Sequence, residues 1–151
     1  MFSLFKKKDF FSKEENEKIV AAIRQAEKST SGEVRVYVES RCRFMDPLDR
    51  ALEIFSELKM EQTKDRNAVL LYVAIKDRQL AVYGDSGINA KTGEQYWKDE
   101  VSKMISEFHQ HHYADGIAHC VEDIGQALQQ YFPYDHAEDK NELPDEIIFG
   151  G

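Results

Sequence analysis

The sequence has few cysteines and no long apolar run. Its two cysteines, Cys42 and Cys120, lie far apart and form no CxxC pair, so a disulfide framework is not expected and both thiols are predicted to be reduced. No segment is apolar over the roughly 20 residues that a membrane-spanning helix needs. GxGxxG, P-loop and GxSxG motifs are also absent, which removes the usual signatures of nucleotide sites and serine hydrolases. These absences predict a cytoplasmic protein.

Basic residues are outnumbered as well. The chain has 20 Lys and Arg against 28 Asp and Glu, giving a net charge of −8. Binding nucleic acid through broad phosphate contacts requires a basic face, so no nucleic-acid partner is expected. Most of the excess acid lies at residues 134–151, which are interpreted as an acidic C-terminal tail.

Hydrophobic periodicity predicts one α/β domain in this chain of 151 residues. Ser12 and Glu15 form a capping box that opens a helix reaching about residue 28, and Asp46-Pro47 opens another. The nearly continuous apolar run at 68–75 is typical of a central strand covered on both faces. The predicted elements are helix 12–28, strand 33–39, helix 46–58, strand 68–75, strand 79–83, a loop over 84–94, helix 97–108 and helix 117–132.

The strand–helix–strand unit followed by a hairpin predicts a mixed sheet in a three-layer αβα sandwich. The domain is placed at residues 12–133, after an N-terminal segment at 1–11. The apolar residues 147–149 in the tail are expected to be loose or to dock as a short strand. In segment 1–11 phenylalanines surround three lysines, so a frayed or folded-back terminus is the main expectation and contact with an anionic membrane surface is the alternative.

Acidic and amide side chains follow the ends of two predicted strands. Glu39 closes the first strand and Asp85 closes the third, and open α/β sheets place ligands in such loops. Carboxylate and amide oxygens suit Ca²⁺ and Mg²⁺, whereas the structural alternative is that these residues cap helices or face water. The predicted divalent-cation ligands are Glu39, Asp46, Asp85, Asp49, Asn89 and Glu94.

Two other kinds of site are weaker alternatives. His109, His111, His112 and His119 with Cys120 offer zinc ligands, but neighbouring histidines on a helix face different ways and histidines at a helix C-terminus also suit its dipole. Cys42 lies near Glu39 in sequence, although a buried, inert thiol is the usual state. No catalytic nucleophile is assigned.

Three segments carry a resemblance to a known family. They are TSGEVRVYVES at 30–40, DPLDRALEIF at 46–55 and KDRNAVLLYVAIKDRQLAVYGDSGI at 64–88, with a weaker match in EFHQHHYADGIAHCVEDIGQAL at 107–128. Together they resemble the TPM domain, also described as TPM phosphatase-like, and most closely its short stand-alone bacterial members.

The resemblance implies a sheet of about four strands, binding of divalent cations, often calcium, and a weak acid phosphatase activity attributed to some members. The leading hypothesis is a metal-responsive binding or regulatory module that acts on an unidentified protein partner. A metal-dependent phosphomonoesterase and a membrane-peripheral adaptor are the alternatives. Within the family pattern, Asp85 in the loop Tyr83–Gly87 is the first-choice ligand.

Overall fold

The structure, a computed structural model, describes residues 10–42, 44–134 and 147–150. The described elements are α1 (Lys13–Lys28), β1 (Glu33–Glu39), α2 (Pro47–Glu57), β2 (Ala68–Ala74), β3 (Gln79–Gly84), α3 (Ser86–Thr92), α4 (Glu94–His109), α5 (Tyr113–Tyr131) and β4 (Ile147–Phe149). They build a four-stranded sheet with helices against both faces. The α/β class and the three-layer sandwich are confirmed.

The sheet is mixed, as predicted, with strand order β3-β2-β1-β4. β1 pairs in parallel with β2 and with β4, whereas β2 and β3 form an antiparallel hairpin. Every residue of β2 is buried, because its two neighbours cover its edges and helices cover both of its faces. The apolar run at the centre of the sequence is therefore the centre of the sheet.

Side chains alternate between two cores on either side of the sheet. Val36, Leu71 and Val82 point into the larger core beneath α1, α4 and α5, while Leu70 and Tyr72 point into the smaller core beneath α2. This alternation follows from the period of two residues in a strand. Burying a large side chain contributes roughly 1.5–3 kcal/mol, so the two cores carry most of the stability of the sandwich.

The helix starts follow the sequence signals. Ser12 and Glu15 form the predicted capping box of α1, since each side chain accepts the backbone N–H of the other residue. Asp46 is the N-cap of α2 and accepts from the N–H of Leu48 at 2.8 Å, with Pro47 in the first helical position. These local contacts were readable from residue type and spacing.

Two segments differ from the predicted loops and ends. Residues 86–92, predicted as part of a loop, form α3, a short helix that Asp85 caps. The segment offers only Ile88 as a buried apolar residue, so it lacks the periodicity that marks longer helices. α4 and α5 also begin earlier than their apolar stripes.

Residues 147–149 dock as the short strand β4 beside β1, the second of the two predicted outcomes. Phe10 stacks on Phe149, and Phe11 is buried against the same ring. These two phenylalanines are therefore folded back onto the protein, whereas residues 1–9 lie outside the described part of the chain. Among the described residues, no helix has the length and apolar character needed to cross a membrane.

Candidate functional site

The predicted ligands Glu39 and Asp85 lie at opposite ends of the sheet. Glu39 pairs with Ala74 at the end of β2, whereas the N–H of Asp85 donates to the carbonyl of Ala68 at its beginning, 3.0 Å away. Six residues of strand separate these positions, which is roughly 20 Å. The prediction that the acids after β1 and β3 converge is wrong. Because β3 runs antiparallel to β1 and β2, its C-terminal end lies at the opposite end of the strands from the C-terminal end of β1.

At one end, Glu39 is held by α2 and β2. Its carboxylate accepts from Nε and Nη2 of Arg50 at 2.9 and 3.1 Å, and the hydroxyl of the fully buried Tyr72 also donates to it. The hydrogen bonds that Arg50 donates to Glu39 raise the pKa of Arg50. Burial, followed by the hydrogen bond donated to Glu39, raises the pKa of Tyr72. The negative charge of Glu39 is thus compensated within the protein, and the group fastens α2 to the sheet.

At the other end, Asp85 is completely buried. Its carboxylate accepts from Nε and Nη2 of Arg66 at 2.6 and 2.8 Å and from the N–H of Ser86 at 2.7 Å. The hydrogen bond and charge of Asp85 raise the pKa of Arg66. The first-choice ligand is therefore a helix cap in a bidentate ion pair, a geometry that satisfies both carboxylate oxygens.

Gly87 closes the contact between α3 and the loop that carries Arg66. Its N–H donates to the carbonyl of Arg66 at 2.8 Å. A Cβ at this position would lie 2.0 Å from the carbonyl oxygen of Asp65 and 2.7 Å from that of Arg66. Only glycine allows the two backbones to approach this closely.

A groove of about 680 Å³ runs beside β3, between the start of α2 and the outer side of α4. Residues Leu80–Gly84 form its floor, and Trp97 and Val101 stand on the α4 wall. Gly84 makes room for this wall, since a Cβ there would lie 2.2 Å from the ring of Trp97. The groove is large enough for a small ligand or several residues of peptide.

Three of the six predicted ligands, Asp46, Asn89 and Glu94, line this groove. Asp46 and Glu94 are exposed, and Oδ1 of Asn89 accepts from Nε1 of Trp97 at 2.9 Å. Asp49 is exposed on α2, apart from the lining residues. The structure therefore divides the six predicted ligands into three that line the groove, two separate carboxylates that are paired with arginine, and the exposed Asp49.

The histidines do not gather around Cys120. His119 Nδ1 lies 2.8 Å from Oε1 of Glu107, and His112 Nδ1 lies 3.8 Å from Oε2 of the same residue. Cys120 is buried, and that burial raises the pKa of its thiol. In the described ranges, no three His, Cys, Asp or Glu side chains form a group that could hold a metal ion.

Sequence reasoning missed the arginines and a further buried carboxylate. Glu100 is 2% exposed, and one of its oxygens accepts from Lys103 at 3.2 Å. Burial, followed by the charge of Asp123, raises the pKa of Glu100 to about 7. The available signal was a glutamate on the apolar face of its helix, between Trp97 and Met104.

Comparison with known proteins agrees with the fold. A family model described as the TPM domain matches residues 4–127. The NMR structure of the BA42 protein from the psychrophilic bacterium Bizionia argentinensis is 41% identical, covers 93% of this chain and 96% of its own, and superposes with a TM-score of 0.85.

Two more distant solved structures share the fold. The N-terminal domain of the cg2496 protein from Corynebacterium glutamicum is 16% identical, with coverage of 80% of this chain and 75% of its own and a TM-score of 0.64. The N-terminal domain of a P. gingivalis protein is 19% identical, with 83% coverage of each chain and a TM-score of 0.70. No curated protein matches this chain.

Proposed function

The chain belongs to the TPM domain family, and from that premise we propose that it is a binding module whose groove beside β3 responds to Ca²⁺ or Mg²⁺. The observation that supports this proposal is the location of Asp46, Asn89 and Glu94 along one groove. The cation would act at the surface through which the module meets its partner.

The groove residues fit a hard divalent cation. Two exposed carboxylates and an amide oxygen are ligands that Ca²⁺ and Mg²⁺ accept, and water completes the shell of such open sites. The net charge of −8 favours cation association in general. Asn89 and Glu94, which follow β3 at the Gly84 end of the groove, would hold the ion, and the ion would supply positive charge there without any protein nucleophile. Asp46 lies toward the other end, one turn before the Arg50 that binds Glu39, and is not assigned to the same ion.

Glu39 and Asp85 do not fit the same role. Each already has an arginine partner, so a cation would have to displace a guanidinium from a largely buried carboxylate. That exchange costs the hydrogen bonds of the ion pair and leaves the arginine to be rehydrated. We therefore assign both residues to the stability of the fold.

The test is titration of chelator-stripped protein with CaCl₂ and MgCl₂, followed by ¹⁵N-HSQC spectra. Saturable shifts are expected at residues 86–98, with little change around Asp46 and Glu39. Replacing Glu94 by Gln should weaken calcium binding by about tenfold, because the charge of the ligands tunes affinity at oxygen sites. Asp49→Asn, an equal charge change at an exposed position on α2, is the matched control and should retain the affinity.

Two outcomes would count against the proposal. Flat spectra at millimolar cation would show that the acids only cap helices and face solvent. Equal losses in the Glu94→Gln and Asp49→Asn variants would indicate a diffuse ion atmosphere. Chelator-sensitive hydrolysis of p-nitrophenyl phosphate would instead favour the phosphomonoesterase alternative, in which a bound cation activates water.

A further inference from the structure

A second cavity, of about 230 Å³, lies on the α4 side of β3, at the end of the strand that follows the hairpin turn. Leu80, Ile105 and Phe108 form its apolar part. Leu80 and Phe108 belong to the larger core and are 7% and 8% exposed, whereas Ile105 is 41% exposed. An apolar cavity of about 150 Å³ holds benzene, so this one has room for an aromatic ring with a short polar substituent.

The other residues that line the cavity carry hydrogen-bond donors. Arg78 lines it from the turn between β2 and β3, and His109, His111 and Tyr113 line it from the connection of α4 to α5. A guanidinium donates in a planar fork, and imidazole and phenol groups can also donate. None of the described lining residues is Asp or Glu. The end of α4 and the start of α5 meet here, so their opposed dipoles largely cancel and Arg78 supplies the charge.

Arg78 is an exposed cation without an acidic partner in the part of the chain that the structure describes. The carboxylate of its neighbour Asp77 accepts from Nη1 of Arg41 at 3.0 Å and from a backbone N–H of the loop after β1 at 2.7 Å. Asp46 caps α2, which covers the other face of the sheet, and lines the larger groove instead. In a chain of net charge −8, this guanidinium is therefore free to bind an anionic ligand.

Two of the lining residues hold their backbone in the left-handed region. The φ angle is 54° at Arg78 and 62° at His111. Such angles are uncommon for residues other than glycine, and they cluster at ligand-binding sites, where the surrounding structure fixes them. In both turns the chain thus places a side chain with donors beside the cavity despite the backbone strain.

Aromatic rings border the cavity as well. Phe108 and Tyr113 pack edge to face with ring centroids 4.9 Å apart, and the imidazole of His111 lies beside Tyr113 with centroids 6.1 Å apart. Rings in such contacts attract one another through complementary edges and faces, beyond the area that they bury. A planar ring therefore matches the apolar part of the cavity better than a flexible alkyl chain does.

We propose that this cavity binds a small aromatic monocarboxylate. The carboxylate accepts from the guanidinium of Arg78, and the ring replaces water on Leu80, Ile105 and Phe108. One arginine supplies one fixed positive charge, which matches a carboxylate of charge −1, whereas a phosphate monoester carries about −1.5 to −2 at pH 7. The cavity lies apart from Asn89 and Glu94, so this ligand binds with or without the cation proposed above.

The probe is sodium phenylacetate, titrated into ¹⁵N-labelled full chain in the presence of EDTA and at constant ionic strength. Saturable shifts are expected at residues 78–80 and 105–113 and at the Nε–H signal of Arg78. For about ten non-hydrogen atoms, a Kd on the order of 1 mM is expected. Phenylacetamide has the same shape without the charge and should bind about tenfold more weakly. Acetate, which lacks the ring, should not saturate over the same concentrations.

Replacing Arg78 tests the charge. Arg78→Gln should weaken phenylacetate binding about tenfold, because the charge-assisted bonds to the carboxylate are lost, and should leave phenylacetamide binding nearly unchanged. Lys76→Gln removes the same charge at an exposed position of the same turn, and it should retain the affinity. Both positions are exposed, so neither change disturbs the core. Equal losses in the two variants would indicate a general attraction of anions and would overturn the proposal.

Replacing Ile105 tests the apolar contact. Ile105→Ala should weaken phenylacetate binding about fivefold, since part of the apolar surface that covers the ring is removed. Leu52→Ala on α2 is the matched control, because Leu52 is 40% exposed and Ile105 is 41% exposed. An unchanged affinity in Ile105→Ala would contradict the assignment of the ring to this cavity.

The class of ligand is decided with benzyl phosphate. This dianion should bind no more tightly than phenylacetate, and tenfold tighter binding that is lost in Arg78→Gln would replace the carboxylate by a phosphate monoester. The absence of saturable shifts at millimolar phenylacetate, or equal affinity for phenylacetamide, would also overturn the proposal. The calcium titration contains no phenylacetate and this titration contains no calcium, so either proposal can fail alone.

Discussion

The two ends of the sheet each hold a carboxylate bound by an arginine, but different elements carry the two arginines. At the β1 end, Arg50 belongs to α2, its side chain is 21% exposed, and it shares Glu39 with Tyr72. At the β3 end, Arg66 comes from a loop, its side chain is 50% exposed, and it reaches the completely buried Asp85. Similar chemistry thus fastens a helix at one end and a loop at the other.

Because the two arginines differ in exposure, the burial of a carboxylate does not by itself predict how much it contributes to stability. Removing Asp85 leaves Arg66 half in water, where its guanidinium is readily rehydrated. Removing Glu39 leaves a buried hydroxyl without its acceptor and a mostly covered guanidinium that keeps only its bond to the exposed Glu53. The less buried of the two acids is therefore expected to matter more, because the cost depends on the partners that remain.

Exchanging each acid for alanine measures this difference and should give the largest effect. Glu39→Ala is expected to lower the free energy of unfolding by roughly 3–5 kcal/mol, as for a broken buried pair. Asp85→Ala should cost about 1–2 kcal/mol, the usual value of an N-cap. Urea denaturation followed by far-UV circular dichroism would measure both, and an equal or larger loss in Asp85→Ala would contradict the comparison.

At the β3 end, the close backbone contact of Gly87 with the loop at residues 65–66 should contribute more to the free energy of unfolding than the ion pair of Asp85 with Arg66. Gly87→Ala places a methyl group 2.0 Å from the carbonyl oxygen of Asp65, and overpacking against backbone should cost about 3 kcal/mol. Gly93→Ala is the comparison variant, because no atom lies within 4 Å while its φ of +82° and ψ of 163° are essentially restricted to glycine, so backbone strain alone should cost about 1–3 kcal/mol. A loss below about 1 kcal/mol in Gly87→Ala would show that α3 shifts freely.

Glu100 is a third buried acid and has no arginine partner among the described contacts, so it should make the stability of the fold depend on pH. The pKa of Glu100 is raised from 4.5 to about 7, so the folded state holds the proton more tightly than the unfolded state. Its contribution is complete below about pH 4.5 and is lost as pH rises through 7. The free energy of unfolding of wild type, measured by urea denaturation, should fall relative to that of Glu100→Gln by roughly 1–3 kcal/mol between pH 5 and 8.

Parallel pH profiles for wild type and Glu100→Gln would refute this assignment. Because Lys103 and Asp123 face the same carboxylate, Lys103→Met is a useful companion variant. Loss of this cation should move the transition to higher pH, since the ammonium favours the charged form of Glu100.

The smallest expected effect concerns the phenol at the Glu39 end. Tyr72→Phe removes one donor from a carboxylate that keeps both bonds to Arg50, and about 1 kcal/mol should be lost. Tyr83→Phe changes the same group on the neighbouring strand, where the hydroxyl belongs to a half-buried ring, and should be nearly neutral. Urea denaturation of the pair decides whether the phenol contributes to the junction.

Most of the fold was predictable because its signals are local. The capping box at Ser12, the Asp46-Pro47 start and the buried run of β2 each depend on residues within a few positions of one another. The helix α3 was not predicted, because a segment of seven residues with one buried apolar side chain shows no helical periodicity. Its cap, Asp85, was noticed but interpreted as a ligand.

The candidate site was less predictable because it depends on strand direction and on distant partners. The hairpin of β2 and β3 was itself predicted. An antiparallel β3 already implies that Glu39 and Asp85 lie at opposite ends of the strands. The partnership of Arg66 with Asp85 crosses 19 positions, and that of Arg50 with Glu39 crosses 11. No local pattern distinguishes these arginines from exposed ones, so the carboxylates looked available for a metal.

The position of β4 has a consequence for the order in which the chain folds. Val36 pairs with Leu71 on one side and with Ile147 on the other, which lies more than one hundred residues further along the chain. Closing so long a loop costs more entropy than forming the hairpin of β2 and β3, and contacts of high sequence separation slow folding. The sheet is therefore expected to assemble from the hairpin toward β1, with β4 joining last.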